Sequence, residues 1–312
     1  MKDNKNIAVV FPGQGSQRAG MGKDFSEQIP VCRATFEEAA DALGWDVSAM
    51  CFGEDERLNL TEFTQPCIVT TEISMLRGMA ERYGFSPDYF GGHSLGEFTA
   101  LVAAGVMPLA ETLKIVQTRG KLMQEAVPVG VGGMAAVISE DIDLEMLMKI
   151  MDGLAAGVAN INSANQVVIS GEVAAIDEAE KRLTQNFPAE KTFRFIRLNV
   201  SAPFHSRLMK TIENRFADTL EKFGINLNAQ NASKVTSNFT GGFHANDVSE
   251  VKKNLVNQIS NTVNWRKNMQ TLAAQAEAIY EVGPGRPLRD FFRTIGVTFQ
   301  SITGLNAAEK IF

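Results

Sequence analysis

The sequence predicts an α/β protein whose large domain has a mainly parallel sheet and carries a smaller, ferredoxin-like domain as an insertion. Two patterns in the 312 residues support this prediction. Short apolar segments alternate with helical ones at the start of the chain, which is typical of parallel sheets. The middle of the chain changes to the order β-α-β-β-α-β, which is the ferredoxin-like pattern. We expect the large domain at 1–126 and 199–312 and the small domain at 127–198.

The first third of the chain supplies the opening elements of the large domain. Ile7–Phe11 is apolar, rich in β-branched residues and followed by Pro12 and Gly13, which predicts a buried parallel strand. Gly105 stands where a helix C-cap glycine belongs, and Pro108 suits the first turn of the next helix. The expected elements are helices at 31–43 and 65–83, a strand at 88–91, and helices at 95–104 and 108–125.

The rest of the chain continues the alternation. The middle is expected to hold strands at 133–139, 157–162, 167–170 and 193–200 and helices at 143–151 and 174–186. Beyond it, apolar residues at amphipathic spacing predict one helix over 206–223. Helices at 248–259 and 265–276 and a strand at 278–282 complete the large domain.

Composition argues against several function classes. The formal net charge is −6 and the basic residues are dispersed, which argues against a DNA or RNA binder. The longest nearly apolar run, 100–110, is too short to span a membrane, and the apolar run near the N-terminus is too short for a signal peptide. Cys32, Cys51 and Cys67 lie far apart and are expected to be buried thiols of a reducing compartment. We therefore expect a cytoplasmic protein without a metal site or a membrane partner.

The segment 92–96, Gly-His-Ser-Leu-Gly, matches the G-x-S-x-G pattern of a nucleophile elbow. In such an elbow the serine stands on a sharp turn between a strand and a helix, and the glycines permit the tight backbone. The helix that follows offers N–H groups to a developing oxyanion. Ser94 is therefore the candidate nucleophile, with an ordinary glycine turn between strand and helix as the alternative.

A nucleophilic serine needs a base, and the chain has three histidines. His93 is a poor candidate because neighbouring side chains on a tight turn point apart. His244 lies in a polar, glycine-containing segment and is expected on the surface. His205 follows a predicted strand and precedes a helix, at the edge where open α/β sheets gather active-site groups. His205 is the candidate base, with a buried structural histidine as the alternative. No acidic residue between Ser94 and His205 occupies a recognisable strand-end loop, which argues against an ordinary esterase.

Arg119 falls on the apolar face of the predicted helix at 108–125, between Ile115 and Val116 and close to Met123. A buried arginine needs an opposite charge nearby. One interpretation is an internal ion pair. The other is a bidentate clamp on a substrate carboxylate, which the planar guanidinium suits. The helix pattern leaves both interpretations open.

The glycine-containing loop at 12–17 does not match a nucleotide-binding motif. Arg18 occupies the position of the third glycine of the dinucleotide fingerprint, and no GK[ST] closes the loop as in a P-loop. Such a loop after the first strand can still aim a backbone N–H at the serine and supply an oxyanion donor.

Taken together, these segments resemble the malonyl-CoA:acyl-carrier-protein transacylases, the acyltransferase family of fatty-acid and polyketide synthesis. The matching segments occur in the family's order and span nearly the whole chain. They are FPGQGSQ at 11–17, TQP at 64–66, GHSLGE at 92–97, RG at 119–120, NQVVISG at 165–171, SAPFHS at 201–206 and EVGPG at 281–285.

The resemblance implies a role for each candidate residue. Ser94 would be the nucleophile and His205 its base. The backbone N–H groups of Gln14 and Leu95 would form the oxyanion hole, and Arg119 would hold the malonyl carboxylate.

The resemblance also assigns three positions around these residues. The main-chain carbonyl of Gln258 would orient the histidine in place of an acidic residue. Phe204 is typical of members that prefer malonyl groups. Phe98 stands where many members carry tyrosine, a departure expected to affect only a hydroxyl contact.

For the whole protein, the resemblance implies a hydrolase-like large domain, malonyl-CoA as substrate and no bound cofactor. The partner would be an acyl carrier protein of fatty-acid or polyketide synthesis, whose phosphopantetheine thiol accepts the malonyl group. An editing hydrolase of acyl carrier proteins is the first rival, although such hydrolases lack the arginine. A non-catalytic carrier-binding module is the second. Because carrier proteins are usually acidic, we expect a basic docking patch that includes Lys181, Arg182, Lys191 or Arg194.

Overall fold

Strand β1 (Ile7–Phe11) lies inside a four-stranded parallel sheet in the computed structural model of the chain. The other strands are β2 (Tyr89–Gly92), β7 (Ala278–Val282) and β8 (Phe299–Ile302), and the order across the sheet is β2-β1-β7-β8. The structure describes residues 6–188, 192–200, 202–223 and 227–312.

Strand β1 is buried on both faces, as its apolar sequence predicts. Val9 and Phe11 belong to the large apolar core, whereas Ala8 and Val10 belong to a second cluster on the opposite face. Phe11 is in register with Gly92 of β2. Since the two strands are parallel, the loops that follow them leave the same edge of the sheet side by side.

Helices surround this sheet and build the large core. They are α1 (Lys23–Gln28), α2 (Pro30–Leu43), α3 (Val47–Phe52), α4 (Thr61–Tyr83), α5 (Gly96–Ala103) and α6 (Leu109–Glu125), with a 3₁₀ turn at Glu56–Asn59. Helices α4 and α6 pack together closely because Gly120 has no side chain: a Cβ there would collide with the carbonyl oxygen of Thr61. This contact brings the polar side chains of α4 and α6 within reach of each other.

A second sheet is formed by β3 (Gly132–Ser139), β4 (Ala156–Ile161), β5 (Gln166–Glu172) and β6 (Phe193–Arg197). Its order is β4-β5-β3-β6, and every neighbouring pair is antiparallel. Helices α7 (Leu144–Met151) and α8 (Val173–Asn186) cover one of its faces and enclose a separate apolar core. The opposite face is therefore free to line a cavity.

The predicted single helix over 206–223 is wrong in its first turns. The segment begins as a 3₁₀ helix, Arg207–Ile212, and only then continues as α9 (Glu213–Lys222). Met209 and Ile212 are both buried. Their three-residue spacing matches the 3₁₀ repeat, so both side chains point to the same side of this turn.

The remaining helices complete the layer around the parallel sheet. They are α10 (Ala229–Ala232), α11 (Val248–Gln258), α12 (Trp265–Ala273), α13 (Arg289–Arg293) and α14 (Leu305–Ile311). The prediction of an α/β protein with a parallel sheet is confirmed, although strand β8 and the short helices α1, α3, α10, α13 and α14 were not predicted. Within the described residues, no helix combines the length and the apolar character needed to cross a membrane.

Candidate active site

Ser94 lies on the sharp turn between β2 and α5 and has a positive φ of 51°. The flanking glycines are required by space. A Cβ on Gly92 would collide with the backbone of Gly96, and a Cβ on Gly96 would collide with the carbonyl oxygen of Phe11. The turn thus has the tight backbone of a nucleophile elbow, and Ser94 faces a cavity above the sheet edge.

His205 is the histidine that contacts this serine. Its Nε2 lies 2.7 Å from Oγ of Ser94, and its Nδ1 lies 2.8 Å from the main-chain carbonyl oxygen of Gln258. Because that carbonyl only accepts, Nδ1 carries the proton and Nε2 accepts from the serine. Burial, and next the positive charge of Arg119, lower the pKa of His205 to about 3, against the opposing effect of the Gln258 hydrogen bond. The imidazole is therefore neutral near pH 7, as a general base requires.

Arg119 of α6 points its guanidinium at the same serine. Nη2 donates to Oγ of Ser94 at 3.2 Å and to Oε1 of Gln258 at 2.9 Å, and Nη1 donates to Oε1 of Gln65 at 3.0 Å. Its Cζ lies 5.3 Å from the ring centroid of Phe98. Burial lowers the pKa of Arg119 to about 10, so the side chain is still a cation at pH 7. Among the described residues, no carboxylate forms an ion pair with it.

A cavity of about 830 Å³ opens above these side chains. Ser94, His205 and Arg119 line it together with the neighbouring Phe204, and apolar side chains on the free face of the second sheet form a wall. Those side chains are Met134, Ala136, Ile138, Val168 and Ile196. A volume of this size is typical of small-molecule sites, with a few polar groups at one end of an otherwise apolar pocket.

The cavity lining includes the two residues whose backbone N–H groups were expected as oxyanion donors. They are Gln14, in the loop after β1, and Leu95, which follows the serine. Within the part of the chain that the structure describes, neither N–H donates a hydrogen bond. Both are therefore available to an anionic oxygen formed next to Ser94.

The prediction that His244 lies on the surface is wrong. Its side chain is buried, and its Nε2 lies 2.8 Å from Oε1 of Glu97, which is also fully buried. A local pattern of polar and glycine residues did not reveal this contact because the two residues lie 147 positions apart. His93 pairs with Oδ1 of Asn162 at 2.8 Å, and burial lowers its pKa.

Sequence reasoning missed the buried hydrogen bonds that stabilise the serine turn. Oδ1 of Asn238 accepts from the N–H of Ser94 at 2.6 Å, and its Nδ2 donates to the carbonyl oxygen of Gly92 at 2.7 Å. Nε2 of Gln258 donates to Oε2 of Glu97 at 2.6 Å. Glu97 belongs to the segment that carries the family resemblance, which was the only available signal, whereas nothing in the sequence distinguished Asn238.

Of the residues expected in one basic docking patch, those that the structure describes do not share one surface. Lys181 and Arg182 lie on α8, and Arg182 is paired with Glu178 at 3.1 Å. Arg194 lies on β6 two residues before Ile196, which faces the cavity, so Arg194 belongs to the face opposite α8. Lys191 lies outside the described residues.

Comparison with known proteins shows the family to which the chain belongs. The model of a family described as the acyl transferase domain matches residues 8–285. The malonyl CoA-acyl carrier protein transacylase of Escherichia coli (strain K12) is 39% identical over 293 residues, covering 93% of this chain and 92% of that protein. The transacylase of the same name from Bacillus subtilis (strain 168) is 35% identical over 304 residues, covering 95% and 92%.

Solved structures have the same fold over nearly the whole chain. The crystal structure of the malonyl CoA-acyl carrier protein transacylase of Clostridium perfringens has a TM-score of 0.90 at 33% identity, covering 98% of this chain and 96% of that one. A malonyl-transacylase in complex with a type II PKS acyl-carrier protein has a TM-score of 0.88 at 34% identity and covers 98% of both chains. The chain belongs to the acyl transferase family, among the malonyl CoA-acyl carrier protein transacylases.

Proposed function

We propose that this protein transfers malonyl groups from coenzyme A to the phosphopantetheine thiol of an acyl carrier protein, through an ester on Ser94. One observation carries the proposal: Arg119 is a buried cation without a carboxylate partner among the described residues, and it donates to Oγ of Ser94. A carboxylated acyl group on that oxygen would give Arg119 a carboxylate in direct contact. The relatives named above are transacylases that use malonyl-CoA and acyl carrier protein, which supports the same substrates here.

The first half-reaction forms the malonyl-serine. Nε2 of His205 takes the proton of Ser94 while Oγ attacks the thioester carbonyl. The backbone N–H groups of Gln14 and Leu95 stabilise the oxyanion of the tetrahedral intermediate. The carbon–sulfur bond then breaks, and coenzyme A leaves as the thiol with the proton returned by His205. The main-chain carbonyl of Gln258 holds the imidazole in the required tautomer throughout.

The second half-reaction reverses these steps with a different thiol. His205 deprotonates the phosphopantetheine thiol of the carrier protein, and the sulfur attacks the ester carbonyl on Ser94. The ester bond breaks, and Oγ recovers its proton from the imidazolium. Coenzyme A leaves before the carrier enters, so the mechanism is ping-pong.

Arg119 selects the acyl group in this proposal. Its guanidinium would bind the malonyl carboxylate in two-point contact, and an uncharged acyl group would leave the buried cation without a carboxylate in direct contact. Phe204 lines the cavity beside His205, where its ring would limit branched acyl chains.

We further propose two domains, with the large one hydrolase-like at 1–126 and 199–312 and a ferredoxin-like one at 127–198. The separate apolar core under α7 and α8 and the antiparallel order β4-β5-β3-β6 support the smaller domain. The serine turn after a parallel strand supports the larger one. A cytoplasmic location is part of the proposal, supported by three buried free thiols, Cys32, Cys51 and Cys67.

The test is to incubate the protein with malonyl-CoA and measure its intact mass, with Ser94→Ala as the matched control. The expected result is one malonyl adduct on the wild-type protein, none on the variant, and loss of the adduct when a phosphopantetheine-bearing carrier is added. Release of free malonate without a lasting adduct would favour the editing hydrolase. No reaction with any acyl-CoA would favour a carrier-binding module without activity.

A further inference from the structure

Glu97 is a second fully buried charge at the site, and the transfer reaction does not use it. It lies on α5, three residues after the nucleophile. Its Oε1 is 2.8 Å from Nε2 of His244, and its Oε2 accepts from the N–H of Asn238 at 3.0 Å and from Nε2 of Gln258 at 2.6 Å. Hydrogen bonds to both oxygens stabilise the carboxylate, but a buried charge also needs an opposite charge.

His244 does not supply that charge. Its Nδ1 is buried and has no hydrogen-bond partner within the described residues. An imidazolium would place a second N–H at that nitrogen without an acceptor, which is unfavourable in the interior. A neutral ring with its proton on Nε2 donates to Oε1 of Glu97 and leaves only the lone pair of Nδ1 without a partner among the described residues.

Arg119 is the nearest cation in the hydrogen-bond network, one side chain away. The amide of Gln258 lies between the two charges: its Nε2 donates to Oε2 of Glu97, and its Oε1 accepts from Nη2 of Arg119 at 2.9 Å. Since a carboxylate only accepts and a guanidinium only donates, each end of the amide faces the group that it suits. The negative charge of Glu97 also raises the pKa of Arg119 against the effect of burial.

We propose that Glu97 is the counter-charge of Arg119, connected to it through the side-chain amide of Gln258 instead of by direct contact. Glu97 is thus a positioning residue, and its meaning for catalysis rests on the proposed function. A direct ion pair would occupy the guanidinium and compete with a substrate carboxylate. With the amide of Gln258 between them, Glu97 balances the charge of Arg119 and leaves the face of the guanidinium at Ser94 available to a substrate carboxylate.

This arrangement has a measurable consequence for stability. Removing either charge alone leaves the other buried and unpaired, whereas removing both leaves none. We therefore compare the melting temperatures of the wild type, Glu97→Gln, Arg119→Met and the double variant. The two single variants are expected to melt several degrees lower, and the double variant is expected to melt above Arg119→Met. Glu72→Gln is the control for loss of a buried carboxyl group outside this network. Glu72 is fully buried, burial raises its pKa well above the ordinary value, and it makes no hydrogen bond to Gln258 or Arg119 among the described residues.

These four melting temperatures form a double-mutant cycle. Its outcome is independent of the proposed function, because the measurement requires no malonyl chemistry. If the losses in the Glu97 and Arg119 variants simply add, as expected for Glu72→Gln with Arg119→Met, the counter-charge proposal is overturned. If Glu97→Gln alone does not fold, a folded double variant is the result expected. A double variant that also fails to fold, beside a folded Arg119→Met, would contradict the proposal.

The affinity for acyl-CoAs gives a second test of the counter-charge proposal. In a Ser94→Ala background, Glu97→Gln should tighten malonyl-CoA binding by about fivefold, because the substrate carboxylate becomes the sole counter-charge of Arg119. Acetyl-CoA binding should not change, and Glu97→Asp, which keeps the charge, should show no tightening. Equal effects on both acyl-CoAs would refute the inference. Failure of the Ser94→Ala protein itself to prefer malonyl-CoA would count against the proposed function instead.

Discussion

Oγ of Ser94 and Nε2 of His205 lie 2.7 Å apart, and both residues have positive φ angles, 51° and 56°. Such backbone conformations are unfavourable for residues with a side chain and persist only where the surroundings hold them. Here Asn238 accepts from the N–H of Ser94, and the carbonyl oxygen of Gln258 accepts from the ring of His205. The contact thus depends on residues that lie far along the chain from both.

The neutral His205 predicts a flat pH dependence for serine acylation. Because burial lowers the pKa of His205 to about 3, the imidazole stays unprotonated and able to accept a proton from pH 5 to pH 8. We expect kcat/KM for malonyl-CoA to show no acid limb from this group in that range, measured as coenzyme A release. An acid limb centred near pH 6.5 would contradict the prediction. His205→Asn serves as the control and should be slow at every pH.

Replacement of Arg119 should change acyl selectivity more than general reactivity. Arg119→Ala is expected to lower kcat/KM for malonyl-CoA by about 100-fold or more, because the carboxylate loses its buried cation. The value of kcat/KM for acetyl-CoA should fall much less. For malonyl-CoA, Arg119→Lys should have a kcat/KM between those of Arg119→Ala and the wild type, since lysine keeps the charge but cannot form the two-point contact of a guanidinium. An equal loss for both acyl-CoAs would instead assign Arg119 to the activation of Ser94, to which it also donates.

The elbow should not tolerate a side chain at Gly92. Gly92→Ala would place a methyl group against the backbone of Gly96 and is expected to destabilise the protein by about 3 kcal/mol or more. Gly242→Ala is the matched control because a Cβ there meets nothing within 4 Å. Urea unfolding of the two variants gives the comparison. A Gly92→Ala protein as stable as Gly242→Ala would show that the turn can relax.

The buried carboxyl group of Glu281 should make stability fall as the pH rises. Burial raises its pKa from an ordinary value near 4.5 to about 7, so the folded protein binds a proton that the unfolded chain has released between these values. This contribution is complete below about pH 4.5 and is lost as the pH passes 7, with a total of roughly 3 kcal/mol.

Glu281→Gln removes this titration while keeping the shape of the side chain. The variant should match the wild type in urea unfolding at pH 5 and be more stable than it at pH 8. In the wild type, the N–H of Leu288 and the hydroxyl of Ser301 both donate to the carboxyl group of Glu281. The amide of the variant can still accept from Leu288 and can donate to Oγ of Ser301. Equal stability differences at both pH values would contradict the prediction.

Local patterns were sufficient for much of the fold and for the choice of candidate residues. The apolar run Ile7–Phe11 marked a strand buried on both faces, and glycines around Ser94 marked a turn that only glycine fits. An arginine on the apolar side of α6 marked a buried charge. These features depend on neighbours within one or two turns of the chain, so periodicity and residue type reveal them.

The tertiary structure decided the rest, because it depends on residues far apart in sequence. Glu97 meets His244, 147 positions away, and Ser94 meets Asn238, 144 positions away. No local pattern shows that the polar segment around His244 folds inward, or that the side chain of Gln258 spans Glu97 and Arg119. The sequence determined the α/β class, the serine turn and the buried arginine. Only long-range packing decided which buried polar groups form hydrogen bonds with one another around the serine turn and the arginine. A buried donor or charge takes its partner from whichever element lies against it.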